Sequence, residues 1–287
     1  MRIGVVGHLG YDGLDELVAH IIAEAPGLGL SVEFEPSLRA LAGADAALIA
    51  DPARLDGLVA FGGDGTLLRG ARLLNGASAP IFGVNLGKLG FLTTCGGEEF
   101  AALLPRFARG DFSADSRMAL EAQARGPDGV LGPRLRALND VVLHKGGFAR
   151  VLRLQVTVNG DRIGSLAADG IVISTPTGST AYSLSAGGPI VVPTLDSILV
   201  TPVAAHALAI RPFILPPDSV LEVQPDDAPE EVMVTVDGQV GTSLGSGHTL
   251  TIHRAVHPVH IVRFDDVSFF ARLRAKMGWG GLAYRDK

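Results

Sequence analysis

The chain has 287 residues, 47% hydrophobic and 19% charged, which excludes a disordered polymer and suits one large domain or two ordinary ones. Its formal net charge of −6 argues against a general nucleic-acid coat, so an anionic ligand has to be held by local donors. One cysteine, Cys95, excludes an intrachain disulfide framework and a cysteine-based zinc site.

Met1-Arg2-Ile3-Gly4-Val5-Val6 starts directly as a strand, without the layout of a signal peptide. No apolar run reaches the ~18 residues of a membrane span, so the expectation is a soluble cytoplasmic protein that engages no membrane. After the strand Ile3–Val6, residues Leu14, Leu17, Val18, Ile21, Ile22 and Ala25 recur at helical spacing, and Pro26-Gly27 stops that helix. Ser31–Phe34 reads as a second strand, and Ala46–Ala50 is ambiguous between strand and helix. The apolar run Leu58–Phe61, a glycine-rich turn and a helix carrying Leu67, Leu68 and Leu74 on one face come next. Ile81–Val84 is another strand, and Glu98–Ala108 a helix closed by Gly110. Strands alternating with helices predict a parallel sheet covered on both faces, with ligands at the carboxyl ends of the strands.

Beyond about residue 115 the texture becomes β-rich. Leu152, Leu154, Val156 and Val158 alternate with polar residues, Asn159-Gly160 is a strong hairpin signal, and Arg162–Leu166 returns. Val232, Val234 and Val236, then Leu250 and Ile252, then Val259 and Ile261 continue the alternation, which predicts a sandwich or stacked sheets. Phe269, Phe270, Leu273 and Met277 are spaced for a short final helix ending at Gly278, whose phenylalanines need an apolar surface to dock on.

Chemistry concentrates in a few stretches. Phe61-Gly62-Gly63-Asp64-Gly65-Thr66 joins a strand to a helix with little side-chain bulk, so a large anion can approach the main chain and the N–H groups of the opening helix turn. Asp64 would repel a phosphate, which points to chemistry on a neutral group lying beside phosphates. Gly83-Val84-Asn85-Leu86-Gly87-Lys88-Leu89 fails the P-loop spacing, the serine-rich stretch lacks a nucleophile elbow, and the histidines form no zinc pattern. Asn85–Thr93 is either a loop sending Phe91 and Leu92 into the core or one in which Phe91 offers a flat wall to a base. Asn139-Asp140, ahead of Val141-Val142-Leu143, is either a pair of turn formers or a set of acceptors and a donor suited to sugar hydroxyls. Residues 169–189 run from Asp169 through a strand, Ile171–Ser174, into a loop dense in hydroxyls and glycine, able to supply many neutral donors.

The Gly-Gly-Asp-Gly-Thr stretch alone resembles a signature shared by NAD kinases, diacylglycerol-type lipid kinases and phosphofructokinases. Together with Asp169-Gly170, Ser174-Thr175-Pro176-Thr177-Gly178-Ser179-Thr180-Ala181-Tyr182-Ser183, Leu86–Thr93, Asn139–Val142, Thr201-Pro202-Val203 through His206, Arg211-Pro212 and Asp237-Gly238-Gln239, the chain resembles the NAD kinase family beyond residue 56. Residues 1–55 match only in layout. The resemblance implies an N-terminal Rossmann-like α/β domain over 1–115, a C-terminal β-sandwich over 116–264 and a segment, 265–287, packing back on the first domain. It implies ATP as donor, Mg²⁺ or another divalent ion with it, the adenosine ribose 2′-hydroxyl of NAD as acceptor, and a homodimer or homotetramer. Asp64 is then the proton acceptor, with Gly65 in the same loop and Phe91 beside the nucleotide. Asn139 and Asp140 hold the NAD nucleoside. Asp169 and Thr180, Ala181, Tyr182, Ser183, Leu184 and Ser185 line the NAD site, with Gln239 from the Asp-Gly-Gln turn and Arg150 and Ala167 at aligned pocket positions. The motifs name no protein ligand for the metal, which the nucleotide can carry. The family usually has Asn-Glu where this chain has Asn139-Asp140; a carboxylate one methylene shorter loses the ribose contact or reaches it through water. Two rival readings are a lipid kinase of the same superfamily, for which no basic amphipathic stretch or anchor is found, and a module that binds NAD without transferring phosphate, against which the intact Asp64 loop speaks.

Overall fold

The structure is a computed structural model describing residues 1–88, 90–146, 152–206, 209–226, 232–264 and 268–278. The chain divides into one unit of Met1–Ser116 with Val259–Lys287 and a second of Arg117–Pro258. The first unit begins with β1 (Arg2–Gly7), α1 (Leu14–Glu24), β2 (Ser31–Phe34), α2 (Arg39–Ala42), β3 (Gly57–Gly62), α3 (Asp64–Leu74), β4 (Ile81–Asn85), β5 (Cys95–Gly96), α4 (Phe100–Ala108) and β6 (Ser113–Arg117). The second holds β7 (Leu120–Arg125), β8 (Leu131–Ala137), β9 (Asp140–Lys145), β10 (Leu152–Val158), β11 (Asp161–Ala168), β12 (Gly170–Ser174), the one-turn helix α5 (Tyr182–Ser185) and β13 (Ile198–Val203). It continues through β14 (Phe213–Leu215), β15 (Leu221–Pro225), β16 (Val232–Val236), β17 (Val240–Leu244) and β18 (Thr249–Arg254). The chain then returns to the first unit as β19 (Val259–Arg263) and α6 (Phe269–Met277).

The first unit is built on one sheet in the order β2-β1-β3-β4-β19-β6, with β5 also on β4. Pairings among β2, β1, β3, β4, β5 and β19 are parallel. Such strands are covered on both faces, which is why β3 is buried at every residue. Val59, Phe61, Phe82 and Val84 face a core shared with Leu14, Val18 and Ile21 of α1 and Phe100 and Phe107 of α4. The alternate residues meet α3: added Cβ atoms at Gly70 and Gly83 would strike Leu58 and Leu67 at 2.8 and 2.7 Å. Leu67, Leu68 and Leu74 are buried, as their spacing predicts.

Two expectations need correction. Val259 and Ile261, placed by their alternation in the β-rich part up to residue 264, belong to the parallel sheet, where Ile261 pairs with Ile81. Alternation reports a buried face and not which sheet supplies the neighbours. The final helix does pack within the first unit, through Leu273, Arg272 and Phe269, whose ring lies 6.5 Å from that of Phe91. Phe270 does not dock; it is 55% exposed, one helical step of about 100° from Phe269.

The second unit is an antiparallel β-sandwich of two six-stranded sheets, β11-β10-β15-β18-β7-β8 and β14-β13-β12-β9-β16-β17. Val141, Leu143, Ile171, Ile173, Val200, Val234 and Val236 of the second sheet join Leu120, Leu154, Val156, Val223 and Ile252 of the first in one core. Side chains alternate across a strand, so Asp140, Val142 and His144 of β9 fall on the opposite face of the second sheet.

Candidate active site

In the first unit the chain leaves β3 at Gly62 and enters α3 at Asp64, with Gly63 as the helix cap. Gly62 has φ +154°, and a Cβ there would come within 2.2 Å of Thr66 Oγ1, so glycine is required at this turn. The helix begins at Asp64 itself, earlier than the leucine spacing indicates. The N–H groups of Thr66 and Leu67 both donate to Gly63 O, at 3.0 and 3.3 Å. The expected anion cradle therefore does not extend along the turn from Gly65, because these two donors close the helix. The carboxylate of Asp64 reaches across to the loop after β4: it accepts from the N–H groups of Phe91 at 2.8 Å, Leu92 at 3.0 Å and Thr93 at 3.4 Å. Gly90 permits that approach, since a Cβ there would lie 2.0 Å from Asp64 Oδ1. Leu92 enters the core, whereas the half-buried ring of Phe91 has Lys276 Nζ 4.7 Å above its centroid. Tyr11, which no motif marks, lies against the same glycines: added Cβ atoms at Gly63 and Gly87 would meet it at 3.3 and 2.9 Å.

In the second unit a cavity of about 640 Å³ opens on the outer face of the second sheet. Val142, Thr235 and Val203 give it an apolar floor, and Asn139, Asp140, Asp169 and Tyr182 give it polar groups. Asp140 is only 4% exposed. Burial, with the charge of Asp237 adding to it, pushes its carboxyl up to about 7. Asp237 shapes this corner: its carboxylate accepts from the N–H groups of Leu138 (3.1 Å), Asn139 (2.7 Å) and Asp140 (3.1 Å), and its own N–H donates to Asp140 O at 2.9 Å. At the other end Lys145 Nζ donates to Asp169 Oδ1 at 2.7 Å, and that bond, with the charges of Lys145 and His206, holds the Asp169 carboxyl below its usual range. A volume of this size, with few polar groups over an apolar floor, suits a nucleoside-sized ligand. The exposed carboxylate of Asp169 and the more deeply set carboxyl of Asp140 present oxygens that match sugar hydroxyls.

The chain matches the ATP-NAD kinase N-terminal domain family over residues 44–112 and the ATP-NAD kinase C-terminal domain family over residues 138–264. It is 54% identical over 286 residues to the NAD kinase of Gemmatimonas aurantiaca, covering 100% of this chain and 99% of that one. It belongs to the NAD kinase family. The NAD kinase of Moorella thermoacetica is 38% identical over 288 residues, with 100% of this chain and 92% of that one covered. Among solved structures, yeast NADH kinase complexed with NADH superposes with a TM-score of 0.86 at 27% identity, covering 98% of this chain and 88% of that one. An Archaeoglobus fulgidus NAD kinase in complex with ATP shares the fold, with a TM-score of 0.75 at 24% identity over 97% of this chain and 98% of that one.

Of the positions that the likeness to NAD kinases singles out, Asn139, Asp140, Asp169, Ala181 and Tyr182 line the one cavity. Tyr182 is 45% exposed. Ser183 is buried, its hydroxyl hydrogen-bonded to Thr201 Oγ1 at 2.9 Å, so it fixes α5 to β13. Thr180 Oγ1 donates to Thr177 O within its own turn. Leu184 and Ser185 complete α5 without lining the cavity. Ala167 lies on β11, where its carbonyl accepts from His206 N, and Gln239 is exposed in the turn between β16 and β17. Arg150 lies outside the described residues. The hydroxyl-rich loop is not the battery of free donors that its composition suggests. Thr175 Oγ1 donates to Leu138 O at 2.6 Å and Ser179 Oγ to Pro176 O at 2.7 Å, while Thr177 Oγ1 accepts from Arg117 at 3.3 Å. These bonds hold the loop against the Asn139 corner. Val203 lies within the Thr201–His206 stretch, whereas Lys145 and Thr235 belong to none of the quoted motifs. Thr235 pairs with Val142 and so shares the outer face of Asp140; Lys145 pairs with Val232 in the alternate register at the end of β9 and reaches the cavity through its bond to Asp169.

Proposed function

We propose that this chain transfers the γ-phosphoryl group of ATP to the adenosine ribose 2′-hydroxyl of NAD, giving NADP and ADP. The observation that carries the reading is the cavity of the second unit, where Asn139, Asp140, Asp169 and Tyr182 converge in a chain of the NAD kinase family. In it, Asn139, Asp140 and Asp169 hold the nucleoside portion of NAD, and Ala181 and Tyr182 form its wall. Asp64 is the proton acceptor. A carboxylate has about four acceptor positions; three take amide hydrogens from Phe91, Leu92 and Thr93, and the remaining one receives the ribose hydroxyl.

The acceptor oxygen bonds to the γ-phosphorus as the bond to the ADP oxygen breaks, and its proton passes late to Asp64. Such a loose transition state asks mainly for positioning and charge stabilisation, so a weak base held in a fixed direction suffices. Among the described residues no group of three or more His, Cys, Asp or Glu side chains could hold a metal ion. Mg²⁺ is usually held by one or two carboxylates and substrate phosphates, and we assign it to the ATP phosphates, as part of the substrate. Among the described residues no helix is long and apolar enough to cross a membrane; cytoplasmic residence and a homodimer or homotetramer complete the proposal.

The test is incubation with ATP, Mg²⁺ and NAD, followed by chromatography, with a diacylglycerol acceptor in a parallel arm. NADP in the first arm and no product in the second is expected. Calorimetric NAD binding without NADP would replace the kinase by a sensor, and a phosphorylated lipid would replace the acceptor.

A further inference from the structure

The loop that grips Asp64 is itself gripped from behind. Arg272 of α6 is 8% exposed, and its Nη1 donates to Phe91 O at 3.4 Å and to Thr93 O at 2.5 Å. Arg263 of β19 donates from Nη1 to Leu92 O at 3.0 Å and to Thr93 O at 3.2 Å, and its Nε lies 3.5 Å from Asp115 Oδ2. The carbonyl of Phe91 and the N–H of Leu92 belong to one peptide group, and the carbonyl of Leu92 and the N–H of Thr93 to the next. Each of these peptide groups therefore accepts from an arginine on its oxygen side and donates to Asp64 on its nitrogen side. Hydrogen bonds in series polarise one another, so a guanidinium on the carbonyl strengthens the N–H as a donor.

We propose that Arg263 and Arg272 are positioning residues for Asp64, acting through the peptide groups 91–92 and 92–93. The inference rests on the reading of Asp64 as the proton acceptor. It assigns the returning segment, Val259–Met277, a part in the chemistry beyond closing the sheet. Neither arginine needs to touch a substrate; their effect is on the direction in which the carboxylate is held.

The experiment is a double-mutant cycle on the full chain. Arg272→Met removes the cation and keeps the bulk. We expect kcat to fall roughly 10–100-fold, as for a misplacement of about 1 Å at a reacting group, with KM for NAD and for ATP within about twofold of wild type. Arg272→Lys, which keeps the charge, recovers most of the loss. In an Asp64→Asn background, Arg272→Met changes the residual kcat by less than about twofold, because the group it acts through is gone. Equal fold losses in both backgrounds, or a rise in KM with kcat unchanged, would overturn the proposal. A wild-type kcat for Asp64→Asn alone would instead overturn the reading of Asp64, and the two failures are told apart by that single variant. If Arg272→Met shows no cooperative thermal transition, Arg263→Met carries the same cycle with the same outcomes.

Discussion

At the scale of single residues, two carboxylates carry the reading, and their surroundings differ. Asp64 is wrapped by three backbone N–H groups, so its oxygens hold the loop in addition to the chemistry we propose for them. Asp64→Asn turns an NH₂ towards donors. We expect a folded variant destabilised by about 1–3 kcal/mol, the cost of buried groups left unpaired, and a kcat lower by ~10²–10⁴, the range of a positioned acid–base group. Calorimetry and steady-state kinetics measure both, and a wild-type kcat would remove Asp64 from the chemistry. Asp140 sits at the buried start of β9 with its carboxyl raised to about 7 from an ordinary 3.8. The folded chain keeps a proton there that the unfolded chain releases, so this contribution to stability is full below about pH 3.8 and is lost as pH rises through about 7. Asp140→Asn removes the loss. The variant's Tm relative to wild type should climb between about pH 4 and pH 8, by roughly 2–4 °C for each kcal/mol recovered; a difference independent of pH would contradict the burial argument. Asp140→Ala, which deletes the acceptor, should raise the NAD KM roughly tenfold, the cost of one lost hydrogen bond of about 1.4 kcal/mol, whereas an unchanged KM would leave Asp140 a turn former.

At the scale of elements, the site depends on two loops lying closer than side chains allow. Gly178 is pressed on the Asn139 corner: a Cβ would come within 2.1 Å of Asn139 O and 2.5 Å of its carbonyl carbon. These are backbone atoms, so the methyl cannot be relieved by a rotamer change. Gly178→Ala is expected to cost about 1–3 kcal/mol by overpacking and to raise the NAD KM by moving Asn139; thermal melts and NAD titration of the rate check both. The strands themselves were readable where a buried face alternates or a run is wholly apolar, as in Leu152–Val158 and Leu58–Phe61. β6, β8 and β14 escaped because few or none of their residues are buried, as in Ser-Ala-Asp-Ser-Arg of β6; β7, β13, β15 and β17 escaped as well, although β7 and β15 alternate and β13 is buried along most of its length. The start of α3 at Asp64 escaped too, since the leucine stripe begins only once the helix reaches the core.

At the scale of the whole molecule, the net charge of −6 is carried by a chain we propose to handle two anionic substrates. Binding then has to come from local groups, consistent with cations such as Lys145 and Lys276 set beside the cavity and the Asp64 loop. The first unit is discontinuous in sequence, with β19 inserted between β4 and β6. A chain ending at Pro258 would lose the pairing of Ile261 with Ile81, the packing of Phe264 on Phe82 at 5.0 Å, and the arginine contacts to residues 91–93. We expect that truncation to abolish the cooperative calorimetric transition of the first unit and all NADP formation; a truncated chain with full activity would show that the return segment is dispensable.

The amino-acid order alone determined the strand–turn–helix around Asp64, the β-rich second half and the short final helix, because each is written in local periodicity and in glycines that no other residue replaces. Tertiary structure alone decided the partners: that Asp64 is tied to the amides of 91–93, that Asp237 organises the Asn139 corner, that Thr175 and Thr177 tie their loop to Leu138 and Arg117, and that β19 joins the parallel sheet. Those are contacts between residues far apart in the chain, and a local pattern reports which side of an element is buried without naming what it is buried against.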